Sequence, residues 1–354
     1  MNLRVLALSP YPLAGPSPRY RLYAYQKPLR DRGIDLDIQP FLPPLAFQLR
    51  MNGAKNHPVV LAQVGAAAFK RLLQARTAQS RYDLIYVHRQ TAPFAQAYFD
   101  KAFLRSKLPI VFDMDDAVFT EYSIDLLLRG SVAATVGNSY LSSYVNLISP
   151  STHVAVIPTV VDTMKYRVKD QQRQNARPVV GWIGTSSTFE NYLLPFLPGL
   201  ISVCKRLNAE FHVIASLDVQ ARAEAVGAKF IPWSLDTELR NLQDFDIGVM
   251  PLREDSYVRG KCAFKLIEYG AIGIPSIGSD IGANREVLKH GITGLLASNQ
   301  EEFETHLVTL LTRPDLGRPL GLAARRIIEQ RFSLAAQIDV METVIRDAVK
   351  WKTI

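Results

Sequence analysis

Short apolar, β-branched runs alternate with longer segments of helical spacing along the whole chain, and this alternation constrains the fold more than any other feature. In the first half the runs are Val5–Ser9, Leu84–His88, Ile110–Met114 and Val154–Pro158. In the second half they are Val179–Gly184, Phe211–Ser216, Lys229–Trp233, Ile247–Leu252, Pro275–Gly278 and Gly294–Ala297. Most are continuous rather than alternating, the pattern of parallel strands covered by helices on both faces. Between them apolar residues recur at helical spacing, as in Phe94-Ala97-Tyr98 and Leu239-Leu242. Such alternation predicts a doubly wound α/β architecture.

The 354 residues suit two domains better than one. Lys165–Arg177 (KYRVKDQQRQNAR) is polar and almost without apolar residues, so it reads as a linker, and a fresh first strand follows at Pro178. The expected division is a first domain over 1–165, a linker over 166–177 and a second domain over 178–332. An amphipathic helix over 333–354, with Ser333 as N-cap, is expected to pack back on the first domain.

Ten cations lie between Ile38 and Phe112: Arg50, Lys55, Lys70, Arg71, Arg76, Arg81, Arg89, Lys101, Arg105 and Lys107. With only Asp83 and Asp100 against them, this stretch carries the whole net charge of +8. It predicts a basic face suited to a phosphorylated ligand or an anionic membrane surface, or else a merely solvated one. It matches no nucleic-acid module, so no nucleic-acid partner is expected. Cys204 and Cys262 form neither a metal-ligand pattern nor a disulfide framework. The run Val5–Leu8 is too short for a signal peptide, and no stretch approaches a membrane span. The expected location is the cytoplasm, with peripheral docking on the inner face of the plasma membrane.

The most informative stretch is VRGKCAFKLIEYGAIGIPSIGSDIGANRE, Val258–Glu286. Gly260-Lys261 is expected to open a helix, which would put Lys261, Lys265 and Glu268 on one face at i, i+4 and i+7. A helix N-terminus beside a lysine holds phosphate, and an acid farther along accepts from a ribose diol. By spacing alone the same residues also read as a solvated face with a weak intrahelical pair.

This stretch resembles the signature of retaining glycosyltransferases of family 4, the glycosyl transferases group 1, which have the GT-B fold. Gly260, Lys261, Lys265, Glu268, Tyr269, Gly273, Pro275, Ser279, Gly282, Asn284, Glu286, Gly291, Gly294 and Leu295 fit in register. The likeness extends to VAVIPTVVDTMKY (Val154–Tyr166), FDIGVMPL (Phe245–Leu252) and PSPRYRLY (Pro16–Tyr23). The resemblance implies two Rossmann-like domains facing across a cleft, with the nucleoside diphosphate of the donor on the second and the acceptor mainly on the first. Lys261 and Lys265, with Arg259 and Gly260 beside them, would neutralise the leaving diphosphate, and Glu268 would bind the ribose. Gly184, Thr185 and Ser186 would approach the phosphates. Trp233 would flank the base or else serve as a core aromatic. Two departures stand out. Many relatives carry a glutamate eight residues before Glu268, where this chain has Gly260. Many also carry an arginine and a lysine where this chain has Thr185 and Glu190.

In the first half, the loop after the first strand holds Gly15 and Arg19, with Arg21 just beyond. Gly15 would let the backbone close on the donor, and Arg19 or Arg21 would reach a phosphate or else cap the following helix. The strand Ile110–Met114 ends in Asp113-Met114-Asp115-Asp116. Asp115 aligns where many relatives have the histidine of an "HD" pair and is expected beside the transferred sugar. Asp116 and His88 are expected on the acceptor side. The resemblance implies no bound metal.

The expected function is retaining transfer of a sugar from a UDP- or GDP-sugar donor to a saccharide or lipid-linked acceptor, in cell-envelope glycan synthesis. Asp115, Lys265 and Glu268 would be the catalytic residues, supplying positioning and diphosphate stabilisation. The alternatives are a non-catalytic nucleotide-sugar-binding protein of the same fold and, behind it, a nucleotide-sugar epimerase. A dinucleotide oxidoreductase is disfavoured, because no G-x-G-x-x-G follows either first strand.

Overall fold

The computed structural model describes residues 2–51, 53–54, 56–170 and 175–351. The chain divides into two compact units, Met1–Val160 with Leu334–Ile354, and Val161–Ser333. Among the described residues each unit is built on one six-stranded sheet in which every pairing is parallel.

The first unit contains β1 (Leu3–Ser9), β2 (Ile34–Pro40), β3 (Leu84–His88), β4 (Ile110–Met114), β5 (Ala133–Val136) and β6 (His153–Val156), in the spatial order β2-β1-β3-β4-β5-β6. Alternate β1 side chains enter different clusters. Leu6 and Leu8 pack on one face of the sheet, while Leu3, Val5 and Ala7 pack on the other. A continuous apolar strand is thus explained by two covered faces. The helix Leu334–Lys350 covers part of the second face, where Ile338, Met341, Val344, Ile345 and Ala348 join Val5, Ile34 and Tyr86.

The second unit contains β7 (Val179–Ile183), β8 (Glu210–Ala215), β9 (Lys229–Pro232), β10 (Ile247–Met250), β11 (Ser276–Ser279) and β12 (Leu295–Ala297), in the order β12-β11-β10-β7-β8-β9. The chain winds outward from β7 in one direction and from β10 in the other. The winding reverses between these two strands, and ligands of such sheets bind outside the strand C-termini at that reversal. Gly248 in β10 lets the helix Phe264–Ala271 lie close, since a Cβ there would fall 2.3 Å from the Tyr269 ring.

The division differs from the expected boundary at 165. Val161 already belongs to the second unit, where its N–H donates to Phe332 O at 3.0 Å and it bridges to Ser333. Tyr166 and Lys169 are buried in that unit too, and the Lys169 ammonium donates to Phe245 O at 2.9 Å and Asp246 Oδ1 at 2.6 Å. The start of the expected linker is therefore anchored, because its few long side chains find buried partners. Its residues 171–174 lie outside the described residues.

Candidate functional site

The loops after β7 and β10 carry most of the residues singled out in the second half. β10 leads through a short helix, Ser256–Arg259, whose N-cap Asp255 accepts from Val258 N–H at 2.6 Å. Gly260 closes that helix, and the next begins only at Phe264. The expected single helix from Gly260 is thus corrected. The break is at Ala263, whose φ of 52° puts a non-glycine residue in the left-handed region. Lys265 and Glu268 share the helix Phe264–Ala271, whereas Lys261 precedes it, its N–H donating to Val258 O at 3.1 Å.

Each of the two lysines lies over aromatic rings of its own. The Lys261 ammonium lies 4.8 Å from the Tyr257 ring centroid and 5.5 Å from that of Tyr192. The Lys265 ammonium lies 5.2 Å from the Trp182 ring centroid. Gly184 borders the same ring, since a Cβ there would sit 2.5 Å from it. Gly184 and Lys265 therefore meet at Trp182, and the ring face attracts the ammonium electrostatically. The Thr185 hydroxyl is spent on a capping box with Thr188. Ser186 Oγ lies 2.8 Å from Ser216 Oγ and donates to Asp218 Oδ1 at 2.9 Å. Arg259 pairs with Glu254 at 2.7 Å on the exposed surface, and Glu190 pairs with Arg222 at 2.8 Å.

Glu268 is only 3% exposed. Its Oε1 lies 3.2 Å from the Tyr166 hydroxyl, which also lies 3.3 Å from Glu238 Oε1. Glu238 in turn accepts from the Trp233 indole N–H at 2.6 Å. The structure thus joins Glu268 and Trp233 through Tyr166 and Glu238, two residues that the sequence analysis did not single out.

In the first unit the C-terminal ends of β3 and β4 build a chain of polar side chains. His88 and Asp113 are paired across these strands. Arg21, expected near a phosphate, is instead fully buried and forms a two-point ion pair with Asp113, with its Nε 3.2 Å from Asp113 Oδ2. It also donates to Ile157 O. Asp113 accepts from Thr135 Oγ1 at 2.6 Å, and His88 Nδ1 lies 2.6 Å from its other oxygen. Burial pushes the Asp113 carboxyl up, but Arg21 and His88 outweigh it and hold the group well below the usual range.

Beyond His88 the chain continues outward. His88 Nε2 lies 2.8 Å from Ser17 Oγ, and Ser17 donates to Asp115 Oδ2. Arg89 Nε donates to Asp115 Oδ1 at 2.8 Å, and the same guanidinium pairs with Asp116. Arg89 has φ 65°, a further left-handed non-glycine residue at a strand end. Asp115 is thus 2% exposed with both oxygens engaged, so its contacts here are to protein. Burial raises its carboxyl, and Arg89, His88, Arg21 and Ser17 together bring it below the usual value. Gly15 is needed by its own loop, where a Cβ would fall 2.7 Å from Tyr11 Cβ. Arg19 lies over the Tyr20 ring at 4.7 Å.

Residues 177–313 match the family model described as Glycosyl transferases group 1. An 80-residue stretch is 31% identical to Glycosyltransferase 1 domain-containing protein 1 of Xenopus tropicalis, covering only 23% of either chain. HepE of Anabaena, solved in complex with UDP and glucose, matches 98% of this chain and 100% of its own at 16% identity, with a TM-score of 0.71. A glycosyltransferase from Rickettsia africae matches 99% of each chain at 14% identity, with a TM-score of 0.73. The fold is that of the GT-B glycosyltransferases, α/β with two Rossmann-like units.

The group 1 match takes in the Gly184 loop, Trp233, Lys261, Lys265 and Glu268 together with Glu238, while Tyr166 lies before it and the Ser17–His88–Asp115 chain lies in the other unit. Tyr166 had a signal in sequence, since it ends the segment Val154–Tyr166 that carried part of the resemblance. Ser17 had the same kind of signal, lying in Pro16–Tyr23, whereas Arg89 stood out only as one cation of the basic stretch, because a guanidinium declares a role only once its partners are placed.

Proposed function

We propose that the protein is a glycosyltransferase using a nucleoside-diphosphate-sugar donor. The observation that carries this reading is that Gly184 and Lys265 meet at Trp182 while Lys261 lies over Tyr192 and Tyr257, on the segments that follow β7 and β10 inside the group 1 match. Two ammonium groups there would balance the charge of a diphosphate leaving group, worth most where charge builds during transfer. Glu268 would accept from the ribose diol, held by Tyr166, and Trp233 would border the base. The crystallised complexes of HepE with UDP and with UDP-glucose support a uridine donor among the candidates, beside GDP-sugars.

The acceptor is a hydroxyl of a saccharide or lipid-linked saccharide bound by the first unit. Transfer proceeds with retention, the donor's phosphate oxygen taking the acceptor proton, and the role is cell-envelope glycan synthesis at the cytoplasmic side of the membrane. No metal is required, since the lysines serve in place of a cation. Among the described residues no helix is long and apolar enough to cross a membrane. Membrane contact would instead come from the helix Pro58–Arg81. It leaves Phe69 64% exposed beside Leu73, with Lys70 and Arg76 on the same outer side.

A thermal-shift panel of UDP, GDP and their sugars tests the donor site. The matching nucleotide is expected to raise the melting temperature in EDTA as well as without it, by mass action on the folded state. Lys265→Ala should lose most of that rise, as removal of a charge-assisted contact costs about 1.5–3 kcal/mol. A wild-type protein that responds to no nucleotide refutes the donor assignment.

A further inference from the structure

Three contacts in the first unit call for more protons than their groups carry in their ordinary states. Asp113 is a carboxylate, fixed by Arg21 and by the Thr135 hydroxyl. Its 2.6 Å contact with His88 Nδ1 therefore takes a proton from the imidazole. The 2.8 Å contact between His88 Nε2 and Ser17 Oγ needs a proton between its two atoms. So does the 2.5 Å contact between Ser17 Oγ and Asp115 Oδ2, since bare lone pairs at such distances repel. A neutral imidazole brings one proton, a serine hydroxyl one and a carboxylate none. Three contacts cannot be filled from two protons.

We propose that the buried chain His88–Ser17–Asp115 stores one additional proton, and that Ser17 relays it. Two limiting forms satisfy every contact. In one, an imidazolium donates to Ser17, which donates to the Asp115 carboxylate. In the other, a protonated Asp115 donates to Ser17, which donates to a neutral imidazole. The charges around the chain favour loading it. Arg21 faces it through Asp113, and Arg89 grips both Asp115 and Asp116. Among the contacts described, two guanidinium groups thus stand against three carboxylates, an excess of negative charge that favours holding the proton. Uncompensated buried charge is costly, so the cluster gains by holding that proton. Among the described residues the Tyr86 hydroxyl lies 2.7 Å from Thr135 Oγ1, and burial pushes its pKa up.

Ser17 is the half-buried member of the chain and the one through which the others act. A ligand oxygen gathering negative charge beside it takes the Ser17 proton. The serine is refilled from His88 Nε2, and His88 is left neutral, its Nδ1 keeping its proton and still donating to the Asp113 carboxylate. His88 and Asp115 are therefore positioning residues for a proton donor. The proposal rests on the glycosyl-transfer reading only for the class of ligand, an oxygen of a saccharide or of its phosphate.

Nitrogen-15 NMR of histidine-labelled full-length protein tests the proton count directly, with the His88 signals assigned by their loss in His88→Gln. At neutral pH the wild type is expected to show protons on both His88 ring nitrogens. Asp115→Asn supplies the missing donor covalently through its amide, so His88 should there revert to a single proton on Nδ1. Ser17→Ala should uncouple the ring from position 115, and Ser17→Thr should restore the wild-type pattern. A singly protonated His88 beside an Asp115 whose carboxyl carbon-13 shift is that of a carboxylate overturns the proposal, as does a His88 pattern unchanged in both Asp115→Asn and Ser17→Ala. Thermal shifts with UDP and GDP, read on the same samples, should match the wild type in every variant. Their absence throughout would refute the donor reading while leaving the proton count to stand or fall on the NMR.

Discussion

Asp100 shows how a single buried carboxylate makes stability depend on pH. It is 2% exposed and accepts from Thr91 Oγ1 at 2.6 Å. Burial pushes its carboxyl up to about 6, with the bond from Thr91 offsetting only part. A carboxyl raised by folding favours the protonated native state. Its contribution is therefore full below the unfolded pKa and is lost as pH rises through about 6. Asp100→Asn cannot ionise, so it should gain on the wild type between acid and neutral pH, by about 3 kcal/mol at most. Urea midpoints of both proteins across that range check this, and a constant difference would contradict it. At this scale the sequence was a partial guide. Lys265 and Glu268 stood out because helical spacing and the surrounding signature are both local. Glu238 did not, because its partner Tyr166 is 72 residues away in the chain and Trp233 had been read as a base-flanking or core aromatic. Arg21 was expected to reach a phosphate or cap a helix, and Arg71 to belong to the basic face. Arg21 turns out to close on Asp113 in the core. Arg71 is 2% exposed, donates to Gln39 O at 3.1 Å, and is lowered by burial to about 9.

Among the elements, the junction before the helix Phe264–Ala271 holds a local conflict. Ala263 adopts φ 52°, where a Cβ crowds its own backbone, and glycine would adopt this without strain. Ala263→Gly is expected to stabilise the protein by on the order of 0.5–1 kcal/mol, since the relief is partly offset by the freer unfolded chain. Equilibrium unfolding in urea would read this, and a destabilised variant would mean that the left-handed turn is not strained. The same turn explains why the expected helix began at Gly260, since sequence spacing carries no sign of a left-handed alanine. Strand positions were more legible, because apolar runs buried on both faces have little other use. Two strands escaped. β2 alternates Ile34-Asp35-Leu36-Asp37 as an edge strand covered less fully, and β5 is a short run of small residues, Ala133-Ala134-Thr135-Val136.

At the level of the whole molecule, the basic stretch does not form the uniform face that its composition suggested. Arg71 is buried, Arg89 is held by Asp115 and Asp116, and Lys55 lies outside the described residues. What remains outside on the helix Pro58–Arg81 is Lys70, Arg76 and Arg81 beside Phe69 and Leu73. Each such cation near an anionic surface is worth ~1 kcal/mol. Co-sedimentation with anionic liposomes is expected at low salt and should fall in Lys70→Glu/Arg76→Glu. A wild-type protein left in the supernatant would remove the membrane from the proposed function. The helix Leu334–Lys350 allows a second test at this scale. Removing it should uncover the apolar face around Val5, Ile34 and Tyr86 and unfold the first unit, while limited proteolysis still yields a protected 161–333 fragment. Loss of both units together would show that they do not fold separately. That same return of the chain sets an order of events on the ribosome. Residues 161–333 are translated in full before the helix that finishes the earlier unit has been made. The nascent chain must therefore carry an unfinished apolar sheet face, open to chaperones, while the unit encoded after it already has every strand of its own sheet.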